Sequence, residues 1–357
     1  LGAVGMYELG RRRSGSRLGG GVAGMAYGFG GMMTTSFMWP NNVAALGWMP
    51  WVVMGVEQGR ERGGKWVWAG GVLGAMQMLA GAPEIILFTW IVSGLEWMVD
   101  EVGRGWTGRG RRLGRLAGTM GMVVGMSLGQ MLPFIELLNR SHRGEEFVRG
   151  AWSMPWDGWA NFFVPLYGTY ADKSGLRFQI GQEWTTSYYV GVIVVALAAA
   201  AMLAVRQRRV WLLGLLSATA IVLALGEKAM LLPILEGVLP VLRVMRFPIK
   251  YVVLCAFCLP LLAAYGASLF SRPGSVTSSG RRSFLTVLWG ATALIAGISV
   301  VAYLMPVQEA DRAVASGSGL SRCLLLWSGG VLLWLRMRDS NWGQARERLT
   351  SLALLIV

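Results

Sequence analysis

The stretch SYYVGVIVVALAAAAMLAV (Ser187–Val205), followed by RQRR (Arg206–Arg209) and then VWLLGLLSATAIVLAL (Val210–Leu225), decides the fold. Apolar blocks of this kind, roughly 17–25 residues long, match a hydrocarbon core about 30 Å thick when helical. The bilayer offers no partner for backbone N–H and C=O groups, so each block must satisfy them internally as a helix. The blocks are continuous rather than alternating, which excludes barrel strands. Two more clear blocks follow, Tyr251–Phe270 and Phe284–Met305. Across the 357 residues, 54% are hydrophobic and only 15% charged, with a mean hydropathy of +0.49. Soluble domains carry about 25% charged residues, so the deficit points to lipid.

Working outward, the remaining blocks order the chain as a polytopic all-α transmembrane bundle of about ten to twelve helices. A partial helix ends near Leu9. Further helices are expected over Leu18–Met38, Val43–Val56, Trp66–Ala80, Ile85–Val99, Leu116–Ile135 and Arg322–Leu335, with a last run starting at Leu349. Ala229–Leu242 is too short and too rich in proline to span, and reads as re-entrant or interfacial. Residues 1–357 form a single transmembrane domain on this reading, with 136–186 as a long extracytoplasmic loop. The chain opens at Leu1 and stops inside an apolar run at Val357, so it is expected to be an internal part of a longer protein.

The net charge of +14 is arranged by side rather than clustered. Alternating the loops gives 22 Lys and Arg on one side, among them Arg11–Arg17, Arg104–Arg115 and Arg206–Arg209, and 11 on the other. The richer side is cytoplasmic by the positive-inside rule. A nucleic-acid partner would need one basic soluble face, so it is excluded. Cys255 and Cys258 form C-x-x-C inside an apolar helix, where thiolate chemistry has no activating neighbour. Glycines at 20, 24, 28 and at 121, 125, 129 fall on one face of their helices, the spacing that lets membrane helices approach closely. Trp152, Trp156, Trp159 and Trp184 lie in the long outer loop, either as an amphipathic segment on the leaflet or as walls of a cleft.

Three outer-face clusters carry the chemistry. In Gly81-Ala-Pro-Glu84, Pro83 starts a helix and Glu84 falls in its first turn, as a dipole-matched cap or as a carboxylate facing a cavity. At the end of the Leu116–Ile135 helix stand Glu136, Arg140, the single histidine His142, and Arg143. An imidazole beside a carboxylate and guanidiniums suits acid–base work or phosphate binding, while a solvated interfacial loop is the plain alternative. A lone histidine excludes a His-rich metal site. Third, Arg243, Arg246 and Lys250 bracket Phe247-Pro248 on the side where positive charge is otherwise depleted. One such lysine is explained by snorkelling; three cations together suit an anionic headgroup.

These residues resemble the YfhO-like bacterial membrane proteins, of the GT-C superfamily of glycosyltransferases. The resemblance runs through Trp48-Met-Pro50, Gly81-Ala-Pro-Glu84 (where the family shows Gly-His-Pro-Gln) and Leu132-Pro133 leading to Ser141-His-Arg143-Gly144. It continues through Val164-Pro165-Leu-Tyr-Gly168 and Arg246-Phe-Pro248-Ile-Lys250-Tyr251, and ends at Gly266. It implies a GT-C-like enzyme of the bacterial cytoplasmic membrane that moves a sugar from a polyprenyl-phosphate donor to an extracytoplasmic glycan or lipid acceptor. Glu84 and Glu136 would be the catalytic or orienting carboxylates. Arg140, His142, Arg143, Arg243, Arg246 and Lys250 would bind substrate. Because the family carries its main acidic residue in the first outer loop, that base is expected upstream of Leu1, leaving these residues alone inactive. No metal ligand or cofactor is assigned, and dependence on a divalent cation stays open. A transporter or lipid flippase, for which Glu96 is the acidic candidate within a span, and a non-catalytic membrane scaffold are the alternatives.

The charge split predicts that Ser141 faces outside and Ser278 the cytoplasm. Single cysteines placed there in a cysteine-free background, treated with an impermeant thiol reagent on intact cells, should label at 141 only. Labelling at 278 but not 141 would invert the topology.

Overall fold

The computed structural model describes residues 1–104, 107–140, 151–239, 242, 245–271, 278–306 and 312–338. The described residues are mostly helical: α1 Gly2–Ser14, α2 Arg17–Phe29, α3 Gly31–Thr35, α4 Pro40–Arg62, α5 Lys65–Leu79, α6 Pro83–Val102, α7 Arg109–Arg140, α8 Val192–Ala204, α9 Arg208–Ala224, α10 Leu231–Val238, α11 Val252–Ser268, α12 Ser278–Leu304 and α13 Arg312–Arg338. One hairpin interrupts them in the long loop, β1 Thr169–Ala171 against β2 Arg177–Gln179, antiparallel with Tyr170 opposite Phe178. Local chemistry sets several boundaries. Ser16 caps α2 by accepting the Gly19 N–H at 3.0 Å. Pro40 and Pro83 open α4 and α6, where a missing N–H costs nothing. Gly63, at φ 70°, closes α4 with its N–H on the Gly59 carbonyl.

Among the described residues, four helices are long and apolar enough to cross a membrane: Arg109–Leu137, Pro248–Ser268, Arg282–Leu304 and Arg312–Leu335. This marks the chain as an α-helical membrane protein. Two of the expected spans are shorter than their apolar runs, whereas α4 and α6 extend beyond theirs. The block Leu18–Met38 breaks at Gly30, whose extended backbone ends α2, and the Gly31 N–H turns to the Tyr189 carbonyl at 2.7 Å. Helix α8 begins only at Val192, because Gly191 sits at φ 106°. Its 13 residues rise about 20 Å at 1.5 Å per residue. Helix α7 continues past Ile135 to Arg140, so the start of the expected loop 136–186 is helical. The expected run from Leu349 lies outside the described residues.

The chain packs as two compact units, residues 1–5 with 36–151 and residues 6–35 with 152–357. In the first, α4 packs on α5, α6 and α7. Gly55 and Gly70 bring α4 and α5 together, since a Cβ on Gly70 would stand 2.9 Å from the Gly55 carbonyl oxygen. Gly71 and Gly74 do the same against Met122 and Val123 of α7. The fully buried Gln77 donates to the Ala45 carbonyl at 3.0 Å and to the Thr89 hydroxyl at 2.7 Å, which joins α4, α5 and α6. At the other end of these helices, Arg60 is 3% exposed and meets Asp100 at 2.5 Å and Glu61 at 3.0 Å, while Arg112 forks Glu101 with two 2.6 Å bonds. The glycines at 121, 125 and 129 correct the sequence reading. They face open space on α7, where Met120, Val124, Leu128 and Leu132 are also exposed. Exposed apolar side chains along such a helix form a surface suited to lipid.

In the second unit α11 is the centre, packed by α2, α8 and α9, while α12 and α13 pack on each other and on α8. A Cβ on Gly19 would stand 2.5 Å from the Ala264 carbonyl oxygen of α11, and one on Gly266 would collide with the Leu197 carbonyl of α8. Here Gly20 does what the spacing predicts, lying against the Tyr7 carbonyl of α1. Cys255 and Cys258 are fully buried on α11, the Cys255 thiol donating to the Ser217 carbonyl at 3.3 Å.

Replacing Gly266 by Val should destabilise the protein by roughly 1–3 kcal/mol, the usual cost of overpacking. Gly121→Ala, in open space inside a helix, should not destabilise and should gain up to about 1 kcal/mol through helix propensity. Thermal unfolding in one detergent checks both, and equal shifts would refute the packing assignment.

Candidate functional site

The second unit gathers cations around a short aromatic wall. After α9, Gly226 at φ 67° turns the chain, and its Cα faces Ser153, where any Cβ would collide with the Ser153 hydroxyl. Two backbone bonds then fix the segment Trp152–Met154. The Met154 N–H donates to the Ala224 carbonyl at 2.8 Å, and the Ile249 N–H to the Trp152 carbonyl at 3.2 Å. Pro248 begins a 3-10 turn that leads into α11, and the Lys250 N–H closes on the Phe247 carbonyl. This places Phe247 against Trp152, ring centroids 4.3 Å apart. Trp152 holds φ 56°, a conformation costly for a bulky side chain and frequent at functional positions.

The cations sit on these rings. The Arg246 guanidinium lies 5.4 Å and the Lys250 ammonium 5.2 Å from the Phe247 centroid, and Lys250 is also 5.6 Å from Trp184. Such contacts are worth about 0.5–2 kcal/mol and hold a cation without cancelling its charge. Lys228 joins them, donating to the Met154 carbonyl at 3.4 Å. Sequence reading missed Lys228 as a site residue because it lies far along the chain from Arg246. The only local signal was its place after a turn-forming glycine. Of the four loop tryptophans, Trp152 and Trp184 are walls of this cluster, whereas Trp156 is 63% exposed.

The first unit carries Glu84, Glu136 and Arg140. Glu84 is half-buried in the first turn of α6, beside a Gly81 carbonyl that accepts from Asn41 at 3.3 Å. Glu136 and Arg140 are exposed and pair with each other one turn apart at 2.7 Å. An exposed pair at this spacing contributes only about 0.3–0.5 kcal/mol. His142, Arg143 and Arg243 lie outside the described residues. Glu96, the acidic group of the transporter reading, is buried on α6. Among the described residues no three of His, Cys, Asp and Glu are grouped to hold a metal ion.

The segment from Gly158 to Tyr188 is a built structure rather than loose chain. The buried Tyr188 hydroxyl donates to the Gly158 carbonyl at 2.5 Å and lies 2.7 Å from the Gln179 amide on β2. The hairpin turn is tied by Asp172, whose Oδ1 accepts the Ser174 hydroxyl at 2.6 Å, the Ser174 N–H at 2.8 Å and the Leu176 N–H at 2.9 Å. The Ser174 hydroxyl first, then the backbone amides, hold the Asp172 carboxyl below its ordinary value. No protein-family model matches the chain, and no curated protein or solved structure matches it either.

A depressed carboxyl pKa means the turn is fully stabilised above the ordinary aspartate value of about 3.9 and loses this contribution as pH falls through the lower folded value. The Ser174 and Leu176 amide resonances should therefore stay unchanged from neutral pH down to about 4 and move only below it. Asp172→Asn should abolish that titration. Movement centred above 4 would contradict the assignment.

Proposed function

We propose that this chain belongs to a GT-C-like bundle of ten to twelve membrane helices in the bacterial cytoplasmic membrane, and that the whole protein transfers sugar from a polyprenyl-phosphate donor. The observation that carries the reading is the pair Arg246 and Lys250, both set on Phe247 at the start of the apolar helix α11. A lipid-linked phosphate needs this combination: a charge at the mouth of a span for the head, and apolar surface below it for the tail. Guanidinium forks phosphate oxygens, and the ammonium adds a point charge. In an inverting displacement, the acceptor hydroxyl attacks the anomeric carbon and gives its proton to a carboxylate. The bond from that carbon to phosphate oxygen breaks, and the departing phosphate takes the electron pair. Arg246 and Lys250, with Arg243, would stabilise that charge.

In the full-length protein, Arg246→Gln and Lys250→Gln should each weaken donor binding by about 2–5 kcal/mol with expression unchanged. Titration with a fluorescent polyprenyl-phosphate sugar measures this. Unchanged affinity in both variants would leave aromatic packing as the role of these cations. Donor binding without any transfer of labelled sugar by the unmutated protein would favour the transporter reading.

A further inference from the structure

Inside the second unit is a cleft of about 610 Å³, walled by α2, α8 and α13 and the loop at Pro165-Leu166. Its size falls in the range of roughly 300–1,000 Å³ typical of small-molecule sites. Val22, Ile193, Leu197 and Leu333 supply apolar wall, and one cation, Arg322, enters it. Arg322 stands ten residues after Arg312 in a helix apolar enough to span, which is about 15 Å along the axis. An ionisable group so placed is a functional candidate by default.

Arg322 is held in place but not neutralised. Ser318, one turn earlier, donates to the Pro165 carbonyl at 2.7 Å and so fixes the rotation of α13. The guanidinium lies 4.9 Å from the Tyr189 ring. Tyr189's hydroxyl already accepts the Val192 N–H at 2.8 Å. The same hydroxyl is a neutral hydrogen-bond partner of the Arg322 guanidinium; among the described residues no carboxylate pairs with Arg322, and its Nε is buried without a hydrogen-bond partner. A guanidinium does not deprotonate in proteins, so an apolar cleft holds a permanent positive charge with donors to spare. Leu166, on the cleft wall, holds φ 71°, a strained backbone of the kind retained at ligand sites.

We propose that this cleft binds one anionic phospholipid of the bilayer, its phosphate forked by Arg322 and an acyl chain laid along Val22, Ile193 and Leu197. A net-anionic head is required because the cation has no described counter-charge, and a zwitterionic head brings its own. The site is independent of the sugar-donor reading and uses none of its residues.

Native mass spectrometry of the full chain in detergent, after exchange with phosphatidylglycerol or phosphatidylcholine, tests it. The unmutated protein should retain one phosphatidylglycerol at least tenfold more tightly than phosphatidylcholine, a comparison that needs no variant. Arg322→Gln should lose that preference, and Arg246→Gln should keep it. Ile193→Trp, which fills the wall but leaves the cation, should weaken binding as well. Equal retention of the two lipids, equal phosphatidylglycerol binding in Arg322→Gln, or displacement of the lipid by inorganic phosphate would each overturn the proposal.

Discussion

Backbone touching backbone is what the second unit depends on. Gly19 of α2 meets the Ala264 carbonyl of α11, and Gly266 of α11 meets the Leu197 carbonyl of α8. In lipid the tails are as apolar as the side chains, so helices gain little by hiding Leu or Val from their surroundings. What remains is dispersion, which falls steeply with distance and rewards the shortest approach. Residues without a side chain give that approach. Once α11 is clamped on two sides, its start is fixed, and with it the Phe247-Pro248 turn that carries Arg246 and Lys250. The position of the cationic cluster is thus a consequence of two close contacts near the far end of the same helix, at Ala264 and at Gly266.

The first unit is tied differently at its basic end. Arg60, nearly inaccessible, is shared by Asp100 and Glu61, and Arg115 donates to the Arg60 and Glu61 carbonyls. Such a network is weak evidence for net stability, because desolvating the ions offsets much of their attraction. Its better-founded effect is register. Each guanidinium reaches only one set of oxygens, so α4, α6 and α7 cannot slide by a turn without stranding a buried charge.

Helices and their approximate places were legible because hydropathy is a local property of the chain. Their lengths were less so. Leu18–Met38 reads as one span from composition, but Gly30 ends α2 by offering its neighbour's N–H to a residue far along the chain. No window of sequence holds that partner. Glycine spacing was informative at Gly20 and misleading at Gly121, Gly125 and Gly129, since spacing gives a face and not what lies opposite. The close-packed glycines of α5 were equally visible as Gly70-Gly71 and Gly74, and only the fold distinguishes the two helices. At the site, Arg246 and Lys250 could be read directly, being next to Pro248. Lys228 and the Trp152 and Trp184 rings come from distant segments and needed the tertiary structure.

Pro133 gives α7 a mechanical character that the other long helices lack. Lacking an N–H, it leaves the Gly129 carbonyl without its donor one turn back, and its ring crowds that same carbonyl. Pro50 and Pro260 make the same omission inside packed helices, where neighbours brace the backbone. Around Pro133 the described residues pack less closely: Gly129 has open space at its Cβ, and Leu132 is 58% exposed. Bending stiffness in α7 is therefore lowest at this point. The last two turns, where Glu136 and Arg140 pair in the open, are thus the part of α7 that a bend at the Gly129–Pro133 turn would redirect.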